Sequence, residues 1–236
     1  MLIVCVAAGC EQKKKIDKAP RPQPVFGNGV ITGKVIFTGK PPRRETIDNG
    51  KCCEGAPRTL LDETVVTSDK GELANVVVYL SDISASEGSQ QPPAVLDQKS
   101  CQYVPHVLAM QVGQTLTVTT SDPTPHNVHY TSSSNASANY GTTVPGDRRD
   151  VTFQASEFIP FRCDVHPWMK AHVAVMDNPF FAVTKEDGSF RIGKIPTGKY
   201  TLKAWHERFG ELEQPITVTD AGEVTSNFQY KPETTQ

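Results

Sequence analysis

The sequence predicts an all-β protein built of sandwich or barrel layers. Almost every segment after residue 28 alternates apolar and polar residues with period two. One run, Val76-Val77-Val78-Tyr79-Leu80, is continuously β-branched, aromatic and apolar, as expected of a strand buried on both faces. Turn signals recur between these segments, at the spacing of sandwiches and barrels.

The elements follow in order. Ile31, Gly33, Val35 and Phe37 alternate with polar residues and give one buried face. Residues 44–63 leave room for a short helix, and residues 82–94, rich in Ser, Gln and Pro, read as a loop. Leu116 with Val118, Val128 with Tyr130, Val151 with Phe153, and Val173 with Val175 keep period two. So do Phe190 with Ile192, Tyr200 with Leu202, and Ile216 with Val218. Lys40-Pro41-Pro42, Asp122-Pro123, Pro145-Gly146, Asp187-Gly188, Pro196-Thr197-Gly198 and Asp220-Ala221-Gly222 mark turns between them.

The 236 residues suffice for one or two domains with a proper core. With 24 basic and 26 acidic residues, charge is nearly balanced, which argues against a nucleic-acid partner. No apolar run reaches the roughly 18 residues that a membrane-spanning helix needs.

Residues 1–10, MLIVCVAAGC, end in Ala7-Ala8-Gly9-Cys10, which resembles a bacterial lipobox. The resemblance implies a signal peptide, lipidation of Cys10, and export to the periplasm or cell surface on a membrane anchor. Residues 11–27 are charged and proline-rich and read as a semi-extended tether. Outside the cytoplasm disulfides persist. With Cys5 in the leader and Cys10 in the anchor, Cys52, Cys53, Cys101 and Cys163 remain. If Cys163 is a ligand, a bridge from Cys52 or Cys53 to Cys101 leaves one cysteine over. A metal site at Cys52-Cys53 is the alternative, and it lacks nearby histidines.

The stretch Phe161-Arg162-Cys163-Asp164-Val165-His166-Pro167-Trp168-Met169 sets a thiol, an imidazole and a thioether at three-residue intervals. A thiolate and two imidazoles with a weak axial thioether suit both oxidation states of copper. The second imidazole comes from Pro125-His126-Asn127-Val128-His129-Tyr130, where a strand begins.

These two motifs resemble those of the cupredoxins, the small blue-copper proteins, and their compact loop is similar to that of amicyanin. The resemblance covers about residues 95–178. It implies a Greek-key sandwich, one type 1 copper ion, and ligands His126, Cys163, His166 and Met169. It also implies that Asn127 ties the two ligand segments by hydrogen bonding. Pro167 and Trp168 would lie in an apolar docking patch, or Trp168 would pack beneath the loop as a lid. The remaining histidines read as structural: His129 on the opposite strand face and hydrogen-bonded, His106 packed, His172 facing outward. A second metal site built from them is a minor alternative.

The C-terminal segment, with Asp187-Gly188 and Pro196-Thr197-Gly198 between strands, resembles the carboxypeptidase regulatory-like (transthyretin-like) domain. Gly33-Lys34-Val35, Gly39-Lys40-Pro41 and Asn75–Tyr79 resemble its first half. The implied organisation is a smaller β-sandwich with halves at 28–80 and 179–232, interrupted by the copper domain. Strand pairs added to the copper domain's sheets are the rival arrangement.

The expected function is electron transfer, without catalysis, to a c-type cytochrome or a periplasmic oxidoreductase. No Cys-x2-Cys-His haem motif occurs, so haem belongs to the partner. No Ser/His/Asp or paired-carboxylate set suggests an enzyme. Copper storage or delivery, or a metal-free structural role, are the alternatives.

Overall fold

The computed structural model describes residues 25–49, 53, 55–83, 91–220 and 222–232. The leader, Cys10, most of the tether and Cys52 lie outside the described residues. The chain is all-β, and among the described residues every regular element is a strand.

The chain opens with β1 (Gly29–Phe37), whose Ile31, Val35 and Phe37 are buried. Among the described residues of 44–63 there is no helix. They form a short antiparallel ladder, β2 (Thr46–Asp48) against β3 (Thr59–Leu61). Gly55 with φ +79° and the Asn49 Nδ2 hydrogen bond to Pro57 O (2.7 Å) turn the chain between them. The β-branched run becomes β4 (Val77–Leu80).

Nine strands follow: β5 (Ala94–Lys99), β6 (Gln102–Val104), β7 (Val107–Gln111), β8 (Thr115–Thr120), β9 (His126–Tyr130), β10 (Ala138–Thr142), β11 (Arg148–Thr152), β12 (Glu157–Arg162) and β13 (Lys170–Met176). The chain ends with β14 (Phe181–Val183), β15 (Ser189–Ile195), β16 (Gly198–His206), β17 (Gly210–Val218), β18 (Glu223–Thr225) and β19 (Phe228–Tyr230).

The middle strands make two sheets, ordered β10-β9-β12-β13-β7 and β11-β8-β5-β6. Leu96, Met110, Leu116, Val118, Val128, Phe153, Ile159, Phe161 and Val173 fill the core between them. The outer segments make another two sheets, β14-β4-β16-β17 and β15-β1-β18, with β19 also on β1. Their separate core holds Ile31, Val35, Val78, Leu80, Phe180, Ile192, Leu202 and Val218. Residues 31–37, 65–80 and 180–230 thus supply one core, and the strands between 94 and 176 build the other.

Cys53 and Ala56 pack in the middle core, not with their neighbours in sequence. A disulfide from Cys53 to Cys101, with Cα atoms 6.0 Å apart, draws this segment across. A third cluster lies between the sandwiches: Val77, Val107, Ala174 and Met176, flanked by Phe158 stacked on Trp205 at 4.2 Å.

The polar connection 131–150 contains β10 and the start of β11, and a carboxylate organises its first turn. Glu157 accepts from Ser132 Oγ, from Ser133 N (2.7 Å) and Ser134 N (3.1 Å), and from Asn135 Nδ2 (3.2 Å). Burial alone would raise its pKa, but these donors outweigh burial and lower it to about 2. The stability that Glu157 contributes is therefore present above the unfolded carboxyl pKa of about 4.3 and lost as pH falls towards 2. Glu157→Gln should cost on the order of 1–2 kcal/mol at pH 7, and the gap to wild type should close near pH 2. Urea unfolding across that range checks this; a gap independent of pH would contradict it.

Candidate metal centre

Two antiparallel strands and one hairpin loop build the site. β12 pairs with β9 through Phe161↔Tyr130 and Arg162↔His129, so Cys163 emerges beside the start of β9. β12 also pairs with β13 through Arg162↔Lys170, which leaves residues 163–169 as a closed loop. Cys163 N donates to Met169 O (3.1 Å), and Met169 N donates to His166 O (2.8 Å). The loop is tight enough to turn Cys163 and His166 inward while Val165 and Pro167 stay exposed.

His126, Cys163 and His166 are buried, at 3%, 1% and 4% exposure, and their donor atoms lie within 4.8 Å of one another. The two Nδ1 atoms are 3.0 Å apart, and Cys163 Sγ is 3.8 Å from His166 Nδ1. A first-row ion with metal–nitrogen bonds of about 2.0 Å and a metal–sulfur bond of about 2.3 Å, in a trigonal plane, separates its nitrogens by about 3.5 Å and nitrogen from sulfur by about 3.8 Å. The donors are thus spaced for such an ion with only a small opening of the histidine pair. Met169, the last residue of the loop, is fully buried in the same core.

The hydrogen bonds leave the right atoms free. His126 Nε2 donates to Asp122 Oδ2 (2.9 Å), which leaves the Nδ1 lone pair for a ligand. The same carboxylate accepts Ser100 N (2.6 Å) and Cys101 N (2.8 Å). Both residues hold left-handed φ, +54° and +55°, a conformation that non-glycine residues adopt at a cost of order 1–3 kcal/mol each. Asp122 was not singled out from the sequence as a site residue. The aspartate four positions before His126 was the available signal, but its backbone partners come from another turn.

Asn127 joins the two ligand segments. Its Oδ1 accepts Asp164 N (2.6 Å) and the Cys163 thiol (3.3 Å). Its Nδ2 donates to Asn139 Oδ1 (2.8 Å) and Asp164 Oδ2 (2.9 Å). His129 lies on the opposite strand face and donates to the Asp164 carboxylate (2.9 Å). From the facing sheet, Gln98 Nε2 donates to Asn127 O (3.2 Å), and Tyr103 Oη lies 3.1 Å from both Asn127 O and Arg162 O.

Electrostatics favour a thiolate. Burial would raise the Cys163 pKa, but the His126 ring in its protonated form, whose place beside the sulfur a metal cation would take, and backbone amides of Asn127, His166 and Val165 lower it below the ordinary thiol value. Burial lowers the His166 pKa, with the His126 charge adding to it, so that ring stays neutral.

Trp168 is half-buried and turned in: Nε1 donates to Cys101 O (3.1 Å), and its ring is 5.2 Å from the His166 ring. The bonded Cys53 and Cys101 sulfurs also lie within 4.8 Å of a His166 ring nitrogen. His106 is packed, as its sequence context implies. His172 does not face outward: its ring is 5.4 Å from Trp205, because the second sandwich covers that face of β13.

Among protein families, residues 164–227 match the model of polysaccharide lyase family 4, domain II. The matching model is not that of the carboxypeptidase regulatory-like domain expected for this part of the chain. No curated protein matches the chain. Among solved structures, it is similar to a purple cupredoxin from Nitrosopumilus maritimus, at 26% identity over 35% of this chain and 99% of that one, with TM-score 0.31. A Cu(I) form of an amicyanin mutant gives 24% identity over 37% and 86%, with TM-score 0.32. A copper-containing nitrite reductase from Thermus scotoductus gives 20% identity over 42% and 25%, with TM-score 0.32. The chain is thus weakly similar in structure to cupredoxins over about a third of its length.

Asp122→Asn leaves one acceptor oxygen for three N–H donors and removes the charge that orients His126, and should weaken copper affinity by about 10–100-fold. Competition titration against a copper chelator checks this; unchanged affinity would show that Asp122 does not position the ring.

Proposed function

We propose that this protein transfers single electrons through one type 1 copper ion, which His126, Cys163, His166 and, as a weak fourth ligand, Met169 would hold. The observation that carries this function is the convergence of a buried thiol and two imidazole Nδ1 atoms on one point. Copper bound there would supply a Cu(II)/Cu(I) couple, which this donor set suits in both states. The chain's own task is to keep the donors still. Asn127 and Asp122 fix the two ligand segments by hydrogen bonds, and Gln98 and Tyr103 brace them from the facing sheet. Rigid donors move little between oxidation states, which favours fast exchange.

Burial of all three donors speaks against copper delivery, which needs an accessible site for ligand exchange. Val165 and Pro167 are exposed beside His166 and suit an apolar docking surface for a redox partner. A c-type cytochrome or a periplasmic oxidoreductase is the proposed partner. The lipobox-like Ala7-Ala8-Gly9-Cys10 supports export and a lipid anchor on Cys10, with no catalysis assigned to the chain.

Protein loaded with Cu(II) should turn intensely blue or violet and show a small hyperfine splitting by electron paramagnetic resonance. Cys163→Ser should abolish the colour. A colourless protein with an axial spectrum would overturn the proposal.

A further inference from the structure

Three ionisable side chains that the copper site does not use meet where the two sandwiches join. His106 precedes β7, His172 lies on β13 and Glu207 follows β16. Their donor atoms lie within 4.8 Å of one another. The His106 and Glu207 side chains are 5% and 7% exposed, and that of His172 is 18% exposed. From these positions we propose a second metal site, for a divalent ion of the zinc type, bound by His106, His172 and Glu207.

The hydrogen bonds fit this use. His106 Nδ1 donates to Lys170 O (3.1 Å), so Nε2 presents its lone pair towards Glu207 Oε1. Glu207 Oε2 is 3.6 Å from His172 Nδ1, too far for a hydrogen bond. That buried Nδ1 has no hydrogen-bond partner. An imidazolium–carboxylate pair between His106 and Glu207 would account for only two of the three groups. It would leave the His172 nitrogen buried and unsatisfied, at a cost of about 1–3 kcal/mol. A cation between the three satisfies them all.

Two imidazoles and one carboxylate form a donor set suited to zinc, with a coordination position to spare. The absence of a thiolate from this trio disfavours Cu(I). A small cleft lined by Glu63, Gln102, Trp168 and Lys170 reaches His106, one of the three donors. Glu63 lines the same cleft beside His106 and accepts from Gln102 Nε2 (3.0 Å), outside the three donors. The site would tie β7 and β13 of one sandwich to the Trp205–Glu207 turn of the other. Through the Lys170 carbonyl it would also brace the residue next to Met169.

The test uses the full chain carrying Cys163→Ser, so that it does not depend on a type 1 copper centre. Equilibrium dialysis against Zn2+ should find one ion per chain, and thermal scans should show a rise in Tm with Zn2+. Adding Glu207→Gln or His172→Asn should weaken binding by at least about 100-fold, the upper end of the loss seen for an outer partner. His172→Asn, at the less buried edge, serves if Glu207→Gln does not fold as judged by circular dichroism. No bound zinc, or binding that His172→Asn leaves intact, would overturn the proposal.

Discussion

The carboxylate of Asp122 is the constraint on which the candidate centre depends. It accepts two amides from the turn at Ser100 and Cys101 and one N–H from His126. The turn is strained, and it carries one end of the disulfide. Charge-assisted hydrogen bonds of this kind are the strong ones, and they offset such strain. One side chain therefore fixes the His126 tautomer and the position of Cys101. Cys101 in turn accepts the Trp168 indole and holds the ligand loop from its other side. Without the carboxylate, the amides and the imidazole would face each other across a buried gap.

The two-core architecture explains why β13 carries two kinds of chemistry. Its Val173 and Val175 enter the middle core, while Ala174 and His172 face the second sandwich. The face that is open in a lone sandwich is covered here by β4, β14 and the Trp205 end of β16. Burial there is apolar around Phe158 and Trp205, and a cluster of ionisable groups sits at His106, His172 and Glu207. A polar cluster in an apolar seam is costly unless its members are paired. That cost points to a role for the cluster.

The strands were legible because alternation survives wherever one face is buried, as in Val128 and Tyr130 or Val173 and Val175. The convergence of His126, Cys163 and His166 was legible because a fixed three-residue spacing sits in one loop and a histidine opens a strand. Asp122 was not legible, since its partners are backbone amides 21 and 22 positions earlier. Nothing in a side-chain pattern announces an acceptor for main-chain N–H groups. His172 was expected outside because strand alternation names a face but not what covers it. The 44–63 segment lacked a period, and a disulfide decides its path. The Asp-Gly and Pro-x-Gly turns pointed to the regulatory-like family, but they report turn geometry, such as Gly188 at φ +68°. Different sandwich families share such turns.

Anomalous diffraction at the copper edge, from crystals of the copper-loaded protein, tests the central claim most directly. A peak within bonding distance of His126 Nδ1, His166 Nδ1 and Cys163 Sγ is predicted, with Asp122 still bonded to His126 Nε2. A copper peak elsewhere, or Cys163 joined to another cysteine, would contradict it.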